Sequence, residues 1–226
     1  YISIGSNDTL TDLGGLSNLT SVGDMFIMDN VALTNLDGLS NLTSINKLSV
    51  SYNDALTNIN GLSGLTSVGD NVYIGDNNAL LNLDGLSNLT TLGGLSIYNN
   101  DVLTNLDGLS NLTSVFDGLS ISLNDSLSNI NGLSNLTFVG GHLQIRVNDA
   151  LANLDGLSGL TSVTEYLYIT HNDVLTNLDG LSNLTSVDGY LVIKDNPGLC
   201  RSIVNAFVVG VTVTGSVSTH DNDDSC

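Results

Sequence analysis

The chain has 226 residues and a formal charge of −19, with four Lys+Arg set against 23 Asp+Glu. So few basic groups (Lys47, Arg146, Lys194 and Arg201) exclude nucleic acid as a partner, because phosphate backbones require clustered Lys and Arg. No run approaches the ~20 apolar residues of a membrane span, so no membrane insertion is expected.

The chain is an internal repeat, and a repeat array is counted in coils. Units that open on a short Leu-x-Ile run begin at Ile2, Met25, Leu48, Val72, Leu95, Leu119, Leu143 and Leu167, and a ninth strand begins at Leu191. The step is 23 or 24 residues. The chain starts inside a repeat, since Tyr1-Ile2-Ser3-Ile4 matches Tyr190-Leu191-Val192-Ile193, and we read it as a piece of a longer protein.

Within a unit, positions 1 and 3 are apolar around a variable position 2, the period-2 pattern of a short strand. Position 6 is always Asn, from Asn7 and Asn30 through Asn172, continuing as Asn196 and Asn222. Its amide is suited to bonding backbone groups of its own coil and the next as an asparagine ladder. Leu or Ile at positions 9, 12, 15 and 18 and an apolar residue at 21 suit 3₁₀ turns or short extended pieces better than a long helix. Each coil therefore turns seven apolar side chains inward, and only stacked coils bury them. Gly at position 14 suggests a turn with positive φ, and Ser at 16 a cap for the turn that follows. At ~4.8 Å per coil the rod is roughly 45 Å long.

After Asn196 the pattern breaks. Leu199, Ile203 and Phe207 fall at i, i+4 and i+8, one face of a short helix ended by Gly210, and a last strand is expected over Val211–Thr219. Cys200 and Cys226, the only cysteines, bracket this segment and read as a disulfide made in an oxidising compartment. The division expected is a solenoid over 1–196 and a C-terminal cap over 197–226, covering the end of the core.

The strand Leu95-Ser-Ile-Tyr-Asn-Asn100, preceded by Leu-Thr-Thr-Leu-Gly-Gly and followed by Leu-x-x-Leu spacing, resembles a leucine-rich repeat. More closely, it is similar to the L domains of receptor ectodomains and microbial surface proteins. The resemblance covers nearly the whole chain. It implies a mainly β, right-handed parallel β-solenoid with a C-terminal helical cap, binding partners through its strand face and doing no chemistry. The known receptor domains have fewer coils, less regular sequence and an N-terminal cap, so receptor function itself does not transfer.

Near-copies allow each position to be compared inside one chain. Positions 2, 4 and 5 change almost freely, while positions 6, 9, 12, 14–16, 18 and 19 hardly change. The variable set includes Phe26, Met28, Tyr52, Tyr73, Tyr98, Arg146, Tyr168 and His171. Positions 2 and 4 share the outward strand face, and exposed aromatics and Arg are good anchors. These eight are the expected ligand-binding residues, for a protein or glycan outside the cell or on a prokaryotic cell surface. Unconstrained drift would leave small polar residues there instead.

Several alternatives stand beside this. A scaffold or filament role follows from the strand edge and core at Ile2, which end-to-end self-association would cover. Thr at position 19 in all eight units suggests an ice-binding row, or hydroxyls bonded along a ladder. Six Asn-Leu-Thr sequons, such as Asn88 and Asn111, read as structural Asn. The Asp rows, such as Asp101, Asp125, Asp149 and Asp173, read as solvated turn residues or as calcium ligands. No nucleophile–base–carboxylate set or metal-ligand spacing stands out. The chain is read as no enzyme and as needing no cofactor.

Overall fold

The computed structural model describes all 226 residues, Tyr1–Cys226. Ten strands lie side by side in one parallel sheet: Ile2–Gly5, Ser21–Met28, Ser44–Ser51, Val72–Gly75, Leu95–Tyr98, Leu119–Ser122, Leu143–Arg146, Leu167–Thr170, Leu191–Lys194 and Val217–Ser218. Their register is the repeat itself, Ile2 beside Met25 and Leu143 beside Leu167. A second parallel sheet of two-residue strands runs from Thr91–Leu92 to Thr212–Val213. Between the sheets each complete coil makes a three-residue 3₁₀ turn at positions 13–15, as at Asp107–Leu109. The mainly β solenoid expected from the repeat is therefore the fold.

The turns have a local cause. The Asn at position 11 accepts a hydrogen bond from the backbone N–H two residues on, as in Asp107 N to Asn105 Oδ1 at 3.0 Å. This is an Asx turn that starts the 3₁₀ segment. The apolar positions then fall inward, and 55 buried hydrophobic residues form one cluster from Leu13 to Val211, so no coil has a core of its own.

The asparagine ladder is present, and it reaches back to the preceding coil. Asn124 Nδ2 donates to Ile97 O at 3.1 Å and to Ser122 O at 3.0 Å, while its Oδ1 accepts from Asn100 N at 3.2 Å. A second ladder runs along position 19, where Thr137 Oγ1 donates to Thr113 O at 3.2 Å and Thr113 Oγ1 to Thr90 O at 3.0 Å. Thr43, Thr66 and Thr185 donate in the same way, so five of the eight hydroxyl protons are spent inside the protein and the free donor row that ice binding would use is broken. The sequon Asn residues act likewise: Asn111 Nδ2 donates to Ser87 O, and Asn135 Nδ2 to Ser110 O, both at 2.7 Å.

Three local expectations are corrected. No glycine has positive φ. From the second coil on, the position-14 glycines are required by close approach, since a Cβ on Gly108 would run into the Leu83 carbonyl of the preceding coil. The positive φ falls instead at position 5, in non-glycine residues from Ser6 to Asp221. Ser at position 16 caps nothing with its side chain; Ser110 closes the preceding turn through its backbone N–H.

The third correction concerns the cap. Its helix, α1, spans Arg201–Gly210, with Leu199 buried ahead of it and Val204 buried within it. The expected last strand is two short ones, Thr212–Val213 and Val217–Ser218, each joining a different sheet. The segment thus completes the ninth coil, with α1 in place of the usual turns, and opens a tenth at Val217–Ser218, where Asn222 continues the ladder by donating to Ile193 O at 2.8 Å. Cys200 and Cys226 are disulfide-bonded. At the other end of the core Ile2, Ile4, Leu10 and Leu16 are only partly covered.

Candidate recognition face

In-register parallel pairing turns each variable position into a straight row across the large sheet. Position 2 places Tyr73, Ser96, Ser120, Gln144 and Tyr168 on successive strands. Position 4 places Tyr98, Ser122, Arg146, Thr170 and Lys194 beside them. The left-handed residue at position 5 then turns the chain away, so its side chain forms one rim.

The eight expected residues do not form one patch. Phe26 and Met28 lie half-buried near the N-terminal end, on the strand beside the one leading to Tyr52 and outside both hollows described below. Tyr52 and Tyr98 gather about Asp76. The Asp76 charge, chiefly, holds the Tyr52 phenol above its usual range; burial does so for Tyr98, with Asp76 second. Asp76 Oδ1 accepts from Asn99 Nδ2 at 2.5 Å. Its Oδ2 is closed off from solvent with no partner at hydrogen-bonding geometry, although both phenols are near enough to feel its charge.

Tyr73 belongs to a first hollow of about 200 Å³. Ser96 and Ser120 floor it, Gly94 and Gly118 leave it open, and Asn71, Asp117 and His142 stand around it. Lys47 Nζ lies 4.9 Å from the centre of the Tyr73 ring. Asn71 Nδ2 donates to the Tyr73 hydroxyl at 3.1 Å, while Asn71 Oδ1 is buried without a partner.

Arg146, Tyr168 and His171 do come together, in a second hollow of about 480 Å³ with Gln144, Tyr166, Thr170 and Lys194. His142 stacks on Tyr166 at 4.9 Å between centroids, and Tyr166 meets Tyr168 edge-on at 4.8 Å, so an aromatic wall links the two hollows. Burial, then Glu165, then Tyr168 raise the Tyr166 phenol above its usual range. Asp195 faces both Lys194 Nζ at 3.2 Å and His171 Nε2 at 3.6 Å.

His142, Tyr166 and Tyr190 stand one residue before position 1, outside the three variable positions chosen from the repeat. The same comparison between units finds them: that column reads Asp24, Lys47, Asn71, Gly94, Gly118, His142, Tyr166 and Tyr190.

The groups with ligating potential have other work. Cys200 and Cys226, near Asp223, are bonded to each other. Asp195, near His220 and Asp221, already carries the Lys194 ammonium. In the row of Asp125, Asp149 and Asp173, burial first and then the two neighbours raise the Asp149 carboxyl above the usual carboxylate range, as a self-repelling row requires.

Residues 137–226, from the end of the sixth complete coil through the cap, match the family model of the Receptor L domain. The resemblance stated from the repeat is borne out over that stretch. No curated protein matches the chain. No helix is long and apolar enough to cross a membrane.

Proposed function

We propose that this chain, carrying a receptor L domain, is an extracellular recognition module that holds a glycan across its strand face. One observation carries the reading: two open hollows lined mostly by polar and aromatic residues, the first over Ser96 and Ser120 and the second over Thr170, joined by the His142–Tyr166–Tyr168 wall. Sugar rings present an apolar face and a fringe of hydroxyls. They are met by aromatic faces together with amide, carboxylate and hydroxyl groups, which is what Tyr73, Asn71, Asp117 and the serines offer. A protein ligand is usually held by a desolvated apolar centre, and the serines and glycines at the middle of this face supply none. The disulfide suits an oxidising environment outside the cell. The sequon amides engaged between coils suit a protein whose Asn-Leu-Thr repeats are structural.

The test is a glycan array probed with the chain and with a variant carrying Phe26, Tyr52, Tyr73, Tyr98 and Tyr168 all changed to Ser. Binding by the parent, lost in the variant with the melting temperature held, is the expected result. Glycan binding that survives the five changes, or binding to surface proteins alone, would overturn the reading.

A further inference from the structure

We infer that the hollow over Thr170 is a subsite for the carboxylate of one acidic sugar, an assignment that rests on the glycan reading above. The argument starts from the four cations of a chain that has 23 acids. Arg201 pairs with Asp224 at 2.8 Å, Lys194 pairs with Asp195, and Lys47 lies over the Tyr73 ring. Arg146 has no acidic partner, although acids outnumber bases so heavily. It lies in the second hollow.

The floor supplies a second, independent observation. Thr170 is only 5% exposed, lines the same hollow, and its hydroxyl makes no hydrogen bond within the protein. The register places Thr170 between Arg146 on one neighbouring strand and Lys194 on the other. Two cations thus flank an unpartnered, nearly buried hydroxyl, two strand spacings or ~10 Å apart at the backbone. An anion over Thr170 satisfies the Arg146 guanidinium and the Thr170 hydroxyl, with the Lys194 ammonium, already paired with Asp195, beside them. A carboxylate suits the planar guanidinium, which binds it through two parallel hydrogen bonds.

The surroundings say what carries that carboxylate. Tyr166 and Tyr168 offer ring faces, Gln144 an amide, and the volume of about 480 Å³ falls within the range of small-ligand sites. Glu165 and Asp195 stand at the rim, and the whole chain is strongly negative, so a polyanionic polymer is repelled. One acidic sugar at the end of an otherwise neutral oligosaccharide fits: its carboxylate over Thr170 and its neutral neighbours running past His142 toward Ser120 and Tyr73.

The experiment measures binding to paired oligosaccharides that differ only in a terminal glucuronic acid or glucose. The proteins are the parent chain, Arg146→Gln and Arg146→Lys, with acidic peptides as a further arm. The parent should prefer the acidic member about 10- to 100-fold, the loss expected for one charged, bidentate contact. Arg146→Gln should weaken binding of the acidic member about 10- to 100-fold and so abolish the preference, and Arg146→Lys should restore part of it. Equal binding of both members by the parent, or a preference untouched by Arg146→Gln, overturns the subsite and leaves the glycan reading standing. Arg146-dependent binding of acidic peptides with no sugar bound overturns both, as does no binding at all.

Discussion

The asparagine ladder makes a quantitative claim about stability, and Asn124→Ala is the change that tests it. Asn124 is fully buried. Its amide donates to Ile97 O, Ser122 O and Asn148 Oδ1 at 3.0–3.3 Å, and its Oδ1 accepts from Asn100 N and Asn100 Nδ2, both at 3.2 Å. Alanine removes all five bonds and leaves the Asn100 N–H, itself buried, with no protein partner. A stranded buried donor costs about 1–3 kcal/mol, and each lost bond about 1 kcal/mol more, with imperfect additivity. The sum is roughly 3–5 kcal/mol, a large share of the stability of an ordinary domain. Asn7 is the internal control. It occupies the same position in the first coil but is exposed, so water replaces what Asn7→Ala removes, and the cost should be about 1 kcal/mol or less. Urea unfolding followed by circular dichroism, read as the shift in midpoint at unchanged slope, measures both. Equal shifts for the two variants would refute the ladder as a source of stability.

Other outcomes follow from the same coil geometry. Gly108→Ala should destabilise by about 3 kcal/mol or more through its collision with Leu83. Gly15→Ala, at the same position of the first coil with nothing within 4 Å of the added carbon, should be neutral or slightly stabilising in thermal melts. Cys200→Ser with Cys226→Ser should lower stability by about 2–4 kcal/mol, measured by calorimetry against the parent with and without reductant. Because folding raises the Asp149 carboxyl, its contribution is most favourable below the unfolded value and is lost as pH rises through the folded one. Asp149→Asn should therefore raise the melting temperature slightly at pH 7, worth a few tenths of a kcal/mol after solvent screening, and do nothing at pH 3.

What could be read without coordinates was whatever the repeat states many times over. Leu103, Leu106, Leu109 and Leu112 announce the core, and Asn at position 6 of every unit announces the ladder. What failed was the meaning of a fixed residue whose cause lies in a neighbouring coil. Gly108 is glycine because of Leu83, 25 positions back, and nothing local separates that from a need for positive φ. The variable strand face was legible as a stripe but not as two hollows. Residue columns say which side chains face outward; they do not show His142 laid on Tyr166, or Arg146 without a partner beside 23 acids. The cap was half legible: its helix carries its own period, whereas its strands are defined by the two sheets they join.

The left-handed residue that ends each strand has a consequence for how such a chain can change. Its φ stays between 52° and 60° whether it is Ser6, Tyr52, Leu123, Val147 or His171. The backbone shape there is imposed by the buried Asn that follows, not chosen by the residue itself. The scaffold carries that strain at every coil, about 1–2 kcal/mol for an ordinary residue and more for β-branched Val147. In return, each outward side chain is mounted at a fixed address, independent of its neighbours. Exchanging whole coils then moves a binding group along the face in steps of ~4.8 Å, so that specificity can be rewritten by shuffling units while the core is left as it was.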